Sequence, residues 1–135
     1  CTGGLVSNRI TNVPGASDVL LEGCVTYSNQ AKIARLGVSP KTLKTYGAVS
    51  RQTALEMAEG IRKTSKSDIG IATTGIAGPG GGSPQKPVGL VHIAIADQNG
   101  ASAKELHLDG DRILIKNGAV MHLLNELRLY LLSLK

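Results

Sequence analysis

Ile69-Gly-Ile-Ala-Thr-Thr74 is a nearly all-apolar run that stops abruptly in a glycine loop, so the fold must cover this segment on both faces and leave its end open. The loop, Thr73 to Gly82, reads TTGIAGPGGG and holds five glycines and one proline in ten residues. That many glycines give up backbone entropy which only an unusual path or a close ligand would justify. No apolar residue is expected to be buried within it. The run itself has the pattern of a central parallel strand, and in open α/β sheets ligands lie at the C-terminal ends of such strands.

The rest of the chain alternates between helix and strand signals. Leu5 to Thr11 is expected to be a helix closed by Val13-Pro14-Gly15, and Gly23 to Tyr27 a strand. Asn29 is expected to cap a helix from Gln30 to Leu36, which Gly37 ends. Ser39-Pro40 reads as a cap with proline at the first helical position, leading a short helix or turn over Thr42 to Thr45. Ser50 opens a helix whose Ala54, Met57, Ala58 and Ile61 share one face. Val88 to Ala96, a turn at Asp97 to Gly100 and Ala103 to Leu108 suggest a hairpin. Asp111 to Leu134 reads as one long helix with Ile113, Ala119, Val120, Leu123, Leu124, Leu127, Leu131 and Leu134 on a broad buried face. The pattern predicts an α/β fold, a three-layer α/β/α sandwich on a mixed, mostly parallel sheet.

At 135 residues the chain fits one domain, 1–135, and with three Tyr and no Phe or Trp its core must be aliphatic. The formal charge is +5, but the Lys and Arg residues are scattered and aromatics to stack on bases are scarce. Direct nucleic-acid binding is therefore disfavoured, while a phosphorylated small molecule accounts for the excess as well. With no run of eighteen apolar residues and no signal peptide, no membrane association is expected and the protein should be soluble and cytoplasmic. Cys1 and Cys24 lack the spacing of a zinc site and are expected to be reduced thiols, Cys24 as a small core residue. Arg9 is too far from Cys1 to close a phosphatase-type cradle, and His92, His107 and His122 form no ligand motif, so no metal site is expected.

The glycine loop lacks the Lys-Ser/Thr ending of a P-loop and the glycine spacing of a dinucleotide turn. What remains is a set of backbone N–H groups, among them those of Gly75, Gly78, Gly80, Gly81 and Gly82, able to surround an anion or oxyanion. A merely flexible loop is the alternative, and the prolines at 79, 84 and 87 argue against it. Tyr27, Ser28, Asn29 and Lys32 form a second cluster; a hydroxyl and an ammonium brought to one site supply a plausible general base, whereas ordinary surface Tyr and Lys would do nothing. CTGG, with Thr2, Gly3 and Gly4, resembles a third loop suited to an anion or a polarised carbonyl. Thr74 is either a plain strand residue or points its hydroxyl into the site, and Arg112 either binds a phosphate or is solvated.

CTGG, GxVTYSNxAK (Gly23 to Lys32), LGV (Leu36 to Val38), YGAVS (Tyr46 to Ser50), TGIAGPGGG, KPVG (Lys86 to Gly89) and GDR (Gly110 to Arg112) follow one another over nearly the whole chain. In this order they resemble the C-terminal domain of the CinA family. Members include nicotinamide-nucleotide amidohydrolases, which convert nicotinamide mononucleotide to nicotinate mononucleotide and ammonia in pyridine-nucleotide salvage. The resemblance implies that activity with no metal and no cofactor. It also implies an alternative, a non-catalytic nucleotide-binding or regulatory module of a competence/damage-inducible protein, partnered by a separate N-terminal CinA-type domain in a longer chain.

The family pattern has a glutamate and a serine just before CTGG, that serine being its nucleophile, so this chain is expected to be truncated at its N-terminus and to turn over very slowly. By resemblance Tyr27 and Lys32 would activate the serine hydroxyl and relay its proton to departing ammonia. Thr74 and Gly75, with the backbone of Thr2 to Gly4, would contact the oxyanion and carboxamide. Ser28, Asn29, Arg112 and the amides of Gly80 to Gly82 would hold ribose or phosphate. The apolar face of the last helix leaves room for a homodimer.

Overall fold

Four of the five helices begin at a side chain that accepts one of their first free amides, a contact worth about 0.5–2 kcal/mol each. The computed structural model describes residues 1–135. Its helices are α1 (Leu5–Thr11), α2 (Asn29–Leu36), α3 (Pro40–Tyr46), α4 (Arg51–Ser65) and α5 (Arg112–Ser133). Its strands are β1 (Gly70–Gly75), β2 (Leu90–Asp97) and β3 (Gly100–His107). Ser39 caps α3 with Pro40 behind it and Ser50 begins α4, as the sequence suggests, while Asp111, expected as the first helical residue, is the cap of α5. At α2 the cap is Ser28 rather than Asn29, its hydroxyl accepting from the Ala31 amide at 3.1 Å.

The sheet departs from the sequence expectation. It is three-stranded and antiparallel throughout, in the order β1-β2-β3, not mostly parallel. A parallel neighbour requires a crossover, usually helical. Between β1 and β2 the chain instead makes the glycine and proline loop, which returns it directly, with Ile76 donating to the Leu90 carbonyl at 2.9 Å. β1 is apolar because helices cover both its faces, but it stands at the sheet edge rather than in the centre. Gly23 to Tyr27 is no strand. Its one backbone hydrogen bond is Tyr27 N–H to the Val25 carbonyl, 3.1 Å. The β2–β3 hairpin is as expected, its turn closed by Asp97 Oδ1 accepting from Asn99 and Gly100.

Two apolar cores lie on opposite faces of this sheet. On one, Ala72, Ala94, Ala96 and Ala103 meet Ala54, Met57 and Ala58 of α4, with Leu36, Val38 and Leu43 behind. On the other, Val91 and Ile93 meet Ile115, Ala119 and Leu123 of α5, together with Ala77. Ala77 is thus an apolar residue buried inside the glycine loop, against expectation. Cys24 is exposed rather than in the core, because the segment carrying it joins no sheet. On α5, Ile113, Leu131 and Leu134 are exposed while Ile115 is buried, so the covered stripe is narrower than the apolar pattern implies.

With alanine in place of aromatics, α4 packs very close. A Cβ at Gly60 would fall 2.0 Å from the Leu36 carbonyl oxygen, and one at Gly70 would fall 2.1 Å from the Ala58 carbonyl oxygen. These two glycines let α2, α4 and β1 approach through their backbones. In an exposed helix Gly→Ala gains about 1 kcal/mol. Here the clash is with backbone, so Gly60→Ala is expected to lose about 1–3 kcal/mol net in urea unfolding. Unchanged or raised stability would contradict this packing.

Candidate functional site

A groove of about 850 Å³ follows the outer edge of β1 and opens at the strand's C-terminal end, among the loops singled out above. β1 stops at Gly75, where a Cβ would meet Val91 Cγ2 at 2.7 Å and the Leu90 oxygen at 2.8 Å, so the chain can turn against β2 only without a side chain. Thr2, Gly3 and Gly4 enter the groove from the other side. The Thr2 hydroxyl lies 3.0 Å from that of Thr73, which fixes the CTGG turn to β1. Thr73 had no assigned role in the sequence; the contact spans chain positions too distant for local spacing to reveal.

Lys32 sits in α2 and its side chain is buried, projecting to the groove. Its Nζ donates to the Thr26 carbonyl at 2.8 Å. Burial pushes its pKa below the ordinary 10.5, because an ammonium loses hydration there that one carbonyl replaces only in part. The lowering therefore comes from desolvation. Tyr27 also lines the groove, but at 71% exposure it forms the rim.

Arg112 opens α5 and donates from Nη1 to the Gly78 carbonyl at 2.7 Å, bracing the glycine loop. Lys116 follows it at helical i+4 spacing, which puts both on one face. A Cβ at Gly3 would lie 3.8 Å from Lys116 Nζ. Lys32, Arg112 and Lys116 all lie close enough for their charges to act at the position of Cys1. Three cations converging beside a partly apolar groove favour an anionic ligand group. Lys116 was missed in the sequence, although the i+4 step from Arg112 was there to be read.

Thr74 lines the groove, but its hydroxyl donates to the Ala48 carbonyl at 2.7 Å. That bond brings the YGAVS turn, with Ala48 and Val49, to the groove wall. As an oxyanion donor Thr74 would have to give up this partner. Gly75, Gly78, Gly80 and Gly81 all border the groove. Ser28, Asn29 and Gly82 do not: the Ser28 hydroxyl is used as the α2 cap, Asn29 and Gly82 are exposed, and a Cβ at Gly82 would meet the Val88 amide at 2.8 Å. No three His, Cys, Asp or Glu residues gather in the molecule, and no helix is long and apolar enough to cross a membrane.

The CinA C-terminal domain model matches residues 1–131. A competence-damage inducible protein of Acetivibrio thermocellus is 54% identical over 135 residues, all of this chain and 33% of that protein. A CinA-like protein of Kosmotoga olearia is 52% identical over 134 residues, 99% of this chain and 32% of its own length. The chain thus spans about a third of the curated relatives it matches. Among solved structures, the competence/damage inducible protein CihA of Agrobacterium tumefaciens superposes with a TM-score of 0.91 at 49% identity, covering 94% of this chain and 78% of that one. A CinA superfamily protein of Enterobacter cloacae gives 0.90 at 37% identity, with 94% and 75% covered.

A lowered lysine pKa means that the folded state binds that proton less tightly than the unfolded chain, so folding is penalised below the folded pKa. Lys32→Met is therefore expected to melt at a higher temperature than the parent at pH 7. The gap should shrink as pH climbs from the lowered pKa toward 10.5, where the lysine is neutral in both states. Equal melting temperatures across that window would contradict a buried, destabilising ammonium.

Proposed function

Since the chain belongs to the CinA C-terminal domain family, we propose that it is the catalytic part of an amidohydrolase that deamidates nicotinamide mononucleotide to nicotinate mononucleotide and ammonia. The observation that carries this reading is the buried Lys32, with its lowered pKa, in the same groove as the CTGG turn. Amide hydrolysis at neutral pH needs a base that is unprotonated yet able to pass a proton to the leaving nitrogen. A desolvated lysine, its pKa lowered by burial, gives up its proton more readily than an exposed one and can pass it on to the leaving nitrogen.

In this reading a serine hydroxyl immediately upstream of Cys1 attacks the carboxamide carbon. Its proton passes to Lys32, with Tyr27 at the rim of the relay, and then to the departing nitrogen, which leaves as ammonia. Water hydrolyses the resulting nicotinoyl ester, its hydroxyl joining the acyl carbon and its remaining proton returning to the serine oxygen. The backbone amides of Thr2 to Gly4 and of Gly75 are candidates for the oxyanion. Arg112 and Lys116 supply the charge that a mononucleotide phosphate would meet, with the Gly78, Gly80 and Gly81 segment beside it. The nucleotide, the serine and the wider protein that carries them all belong to this proposal.

The test is ammonia release from nicotinamide mononucleotide by this chain and by a version extended upstream by a strand ending in Glu-Ser. The extended form is expected to be active, and Lys32→Ala to lower its kcat by about 10²–10⁴-fold. Its kcat/KM should rise with pH through the lowered lysine pKa, because only the neutral amine accepts the serine proton. Arg112→Ala should act mainly on KM. Nucleotide binding without ammonia from either form would replace this reading with a nucleotide-binding or regulatory module.

A further inference from the structure

His92 of β2 is a buried titratable residue that lies outside the groove. It is 5% exposed, and its Nδ1 has no hydrogen-bond partner. In register it stands directly between Thr74 of β1 and Glu105 of β3. Side chains alternate between the faces of a strand, and Ala94 and Ala96 pack with Ala54, Met57 and Ala58 of α4, so His92 is on the face that α4 covers. Its charged neighbours come from three elements. Arg51, the first residue of α4, donates to the Ala103 carbonyl, and Lys86, in the loop before β2, donates to the Tyr46 carbonyl at the start of the YGAVS turn. β3 supplies Glu105, whose Oε2 is 3.9 Å from His92 Nε2, and His107, whose Nε2 is 2.7 Å from the other carboxylate oxygen. The two rings approach different oxygens, so these residues form a path from the interior to solvent rather than a ligand set around one point. β1 faces His92 with the uncharged Thr74.

A neutral ring suits this place and a charged one does not. Burial holds the His92 pKa below its ordinary 6.5; Glu105 opposes that, and Lys86, Arg51 and His107 add to it. An imidazolium has two N–H donors, and burying either without an acceptor is costly. The carboxylate within reach is Glu105, whose side chain is 55% exposed, so protonation draws the ring toward the open margin of β3. What it would leave behind bears on the groove. Thr74, beside His92 on the same face, donates to the Ala48 carbonyl at 2.7 Å, and Ala48 and Val49 form part of the groove wall. The turn that carries them is knitted to the start of α4, since the Ser50 and Thr53 hydroxyls both donate to the Gly47 carbonyl, at 3.0 and 2.7 Å. It therefore shifts as one piece.

We propose that His92 is an acid-sensitive latch on the groove wall: neutral, it supports the YGAVS turn with Ala48 bonded to Thr74, and protonated, it pairs with Glu105 and lets that turn leave Thr74. The form with the turn in place binds the proton less tightly than the form with the turn released. The closed wall is therefore favoured above the ordinary histidine pKa and lost as pH falls toward the lowered one. The latch does not depend on the amidohydrolase reading, because it sets where the wall stands whatever reaction the groove supports.

The test follows the His92 ring Cε1–H signal and the Ala48 carbonyl ¹³C signal by NMR as the pH of the labelled chain is lowered from about 7.5 to about 5. Both are expected to move with one midpoint while the β2–β3 amide signals keep their folded dispersion. Glu105→Gln, at an exposed position, removes the pull on the charged ring and should shift both midpoints to lower pH, by about threefold or more in proton concentration. His92→Gln stays polar without titrating, and its Ala48 signal should be flat across the range. An Ala48 signal that stays still while His92 titrates, or that moves as before in His92→Gln, overturns the proposal. So do a His92 ring that remains neutral throughout, midpoints unchanged in Glu105→Gln, or loss of the β2–β3 dispersion at the same midpoint, which would mean global unfolding. Should His92→Gln fail to fold, the parent and Glu105→Gln titrations decide alone.

Discussion

The close approach of α4 to β1 and α2 is the constraint on which the rest of the molecule depends. Without Phe or Trp, burial has to come from many small contacts at short range, and the alanines of β1, β2 and β3 lie directly beneath Ala54 and Ala58. Gly60 and Gly70 let backbones touch where a methyl group would hold them apart. This sets the height of α4 above the sheet and so the position of its capping residue Ser50 and of the turn before it. The Ala48 carbonyl can then accept from Thr74, which ties the α3–α4 connection to the end of β1. Packing far from the groove thereby positions one of its walls.

The groove works against this economy. Lys32 is buried on one hydrogen bond, and the Thr26 hydroxyl nearby is buried with no partner. Arg112 and Lys116 add like charge on the other side of the same space. A fold selected only for stability would have no reason to gather them. A site that must hold an anion beside an amine of lowered pKa would, and local cost at functional positions is a common trade. The braces support this account: Thr2 to Thr73, Arg112 to the Gly78 carbonyl and Lys86 Nζ to the Tyr46 carbonyl hold the loops to rigid elements.

Much of the fold was legible because its signals are local. Ser39-Pro40, Ser50 and Asp111 begin helices through contacts within four residues, and the Asp97 turn closes its hairpin in the same way. Strand neighbours are not local. The apolar run before Thr74 reports that both faces are covered, but helices on both faces cover an edge strand as well as a central one, and so the parallel sheet was inferred wrongly. Gly23 to Tyr27 reads as a strand on residue types alone; its backbone faces a groove rather than a neighbouring strand. At the site, resemblance brought Tyr27, Lys32, Thr74 and Arg112 to attention, whereas Thr73 and Lys116 take their place from tertiary contacts. Ser28 and Asn29 went the other way, their motif serving to begin a helix.

Burial lowers the Lys32 pKa in a groove where Arg112 and Lys116 add positive charge. The most direct measurement is a pH titration of the lysine side-chain carbons by ¹³C NMR, with Lys32 assigned from the Lys32→Met spectrum. One Cε resonance is expected to titrate clearly below those of the exposed lysines and to stay there as ionic strength rises, because loss of hydration rather than neighbouring charge lowers it. A Lys32 resonance that titrates with the exposed lysines at every salt concentration would contradict it.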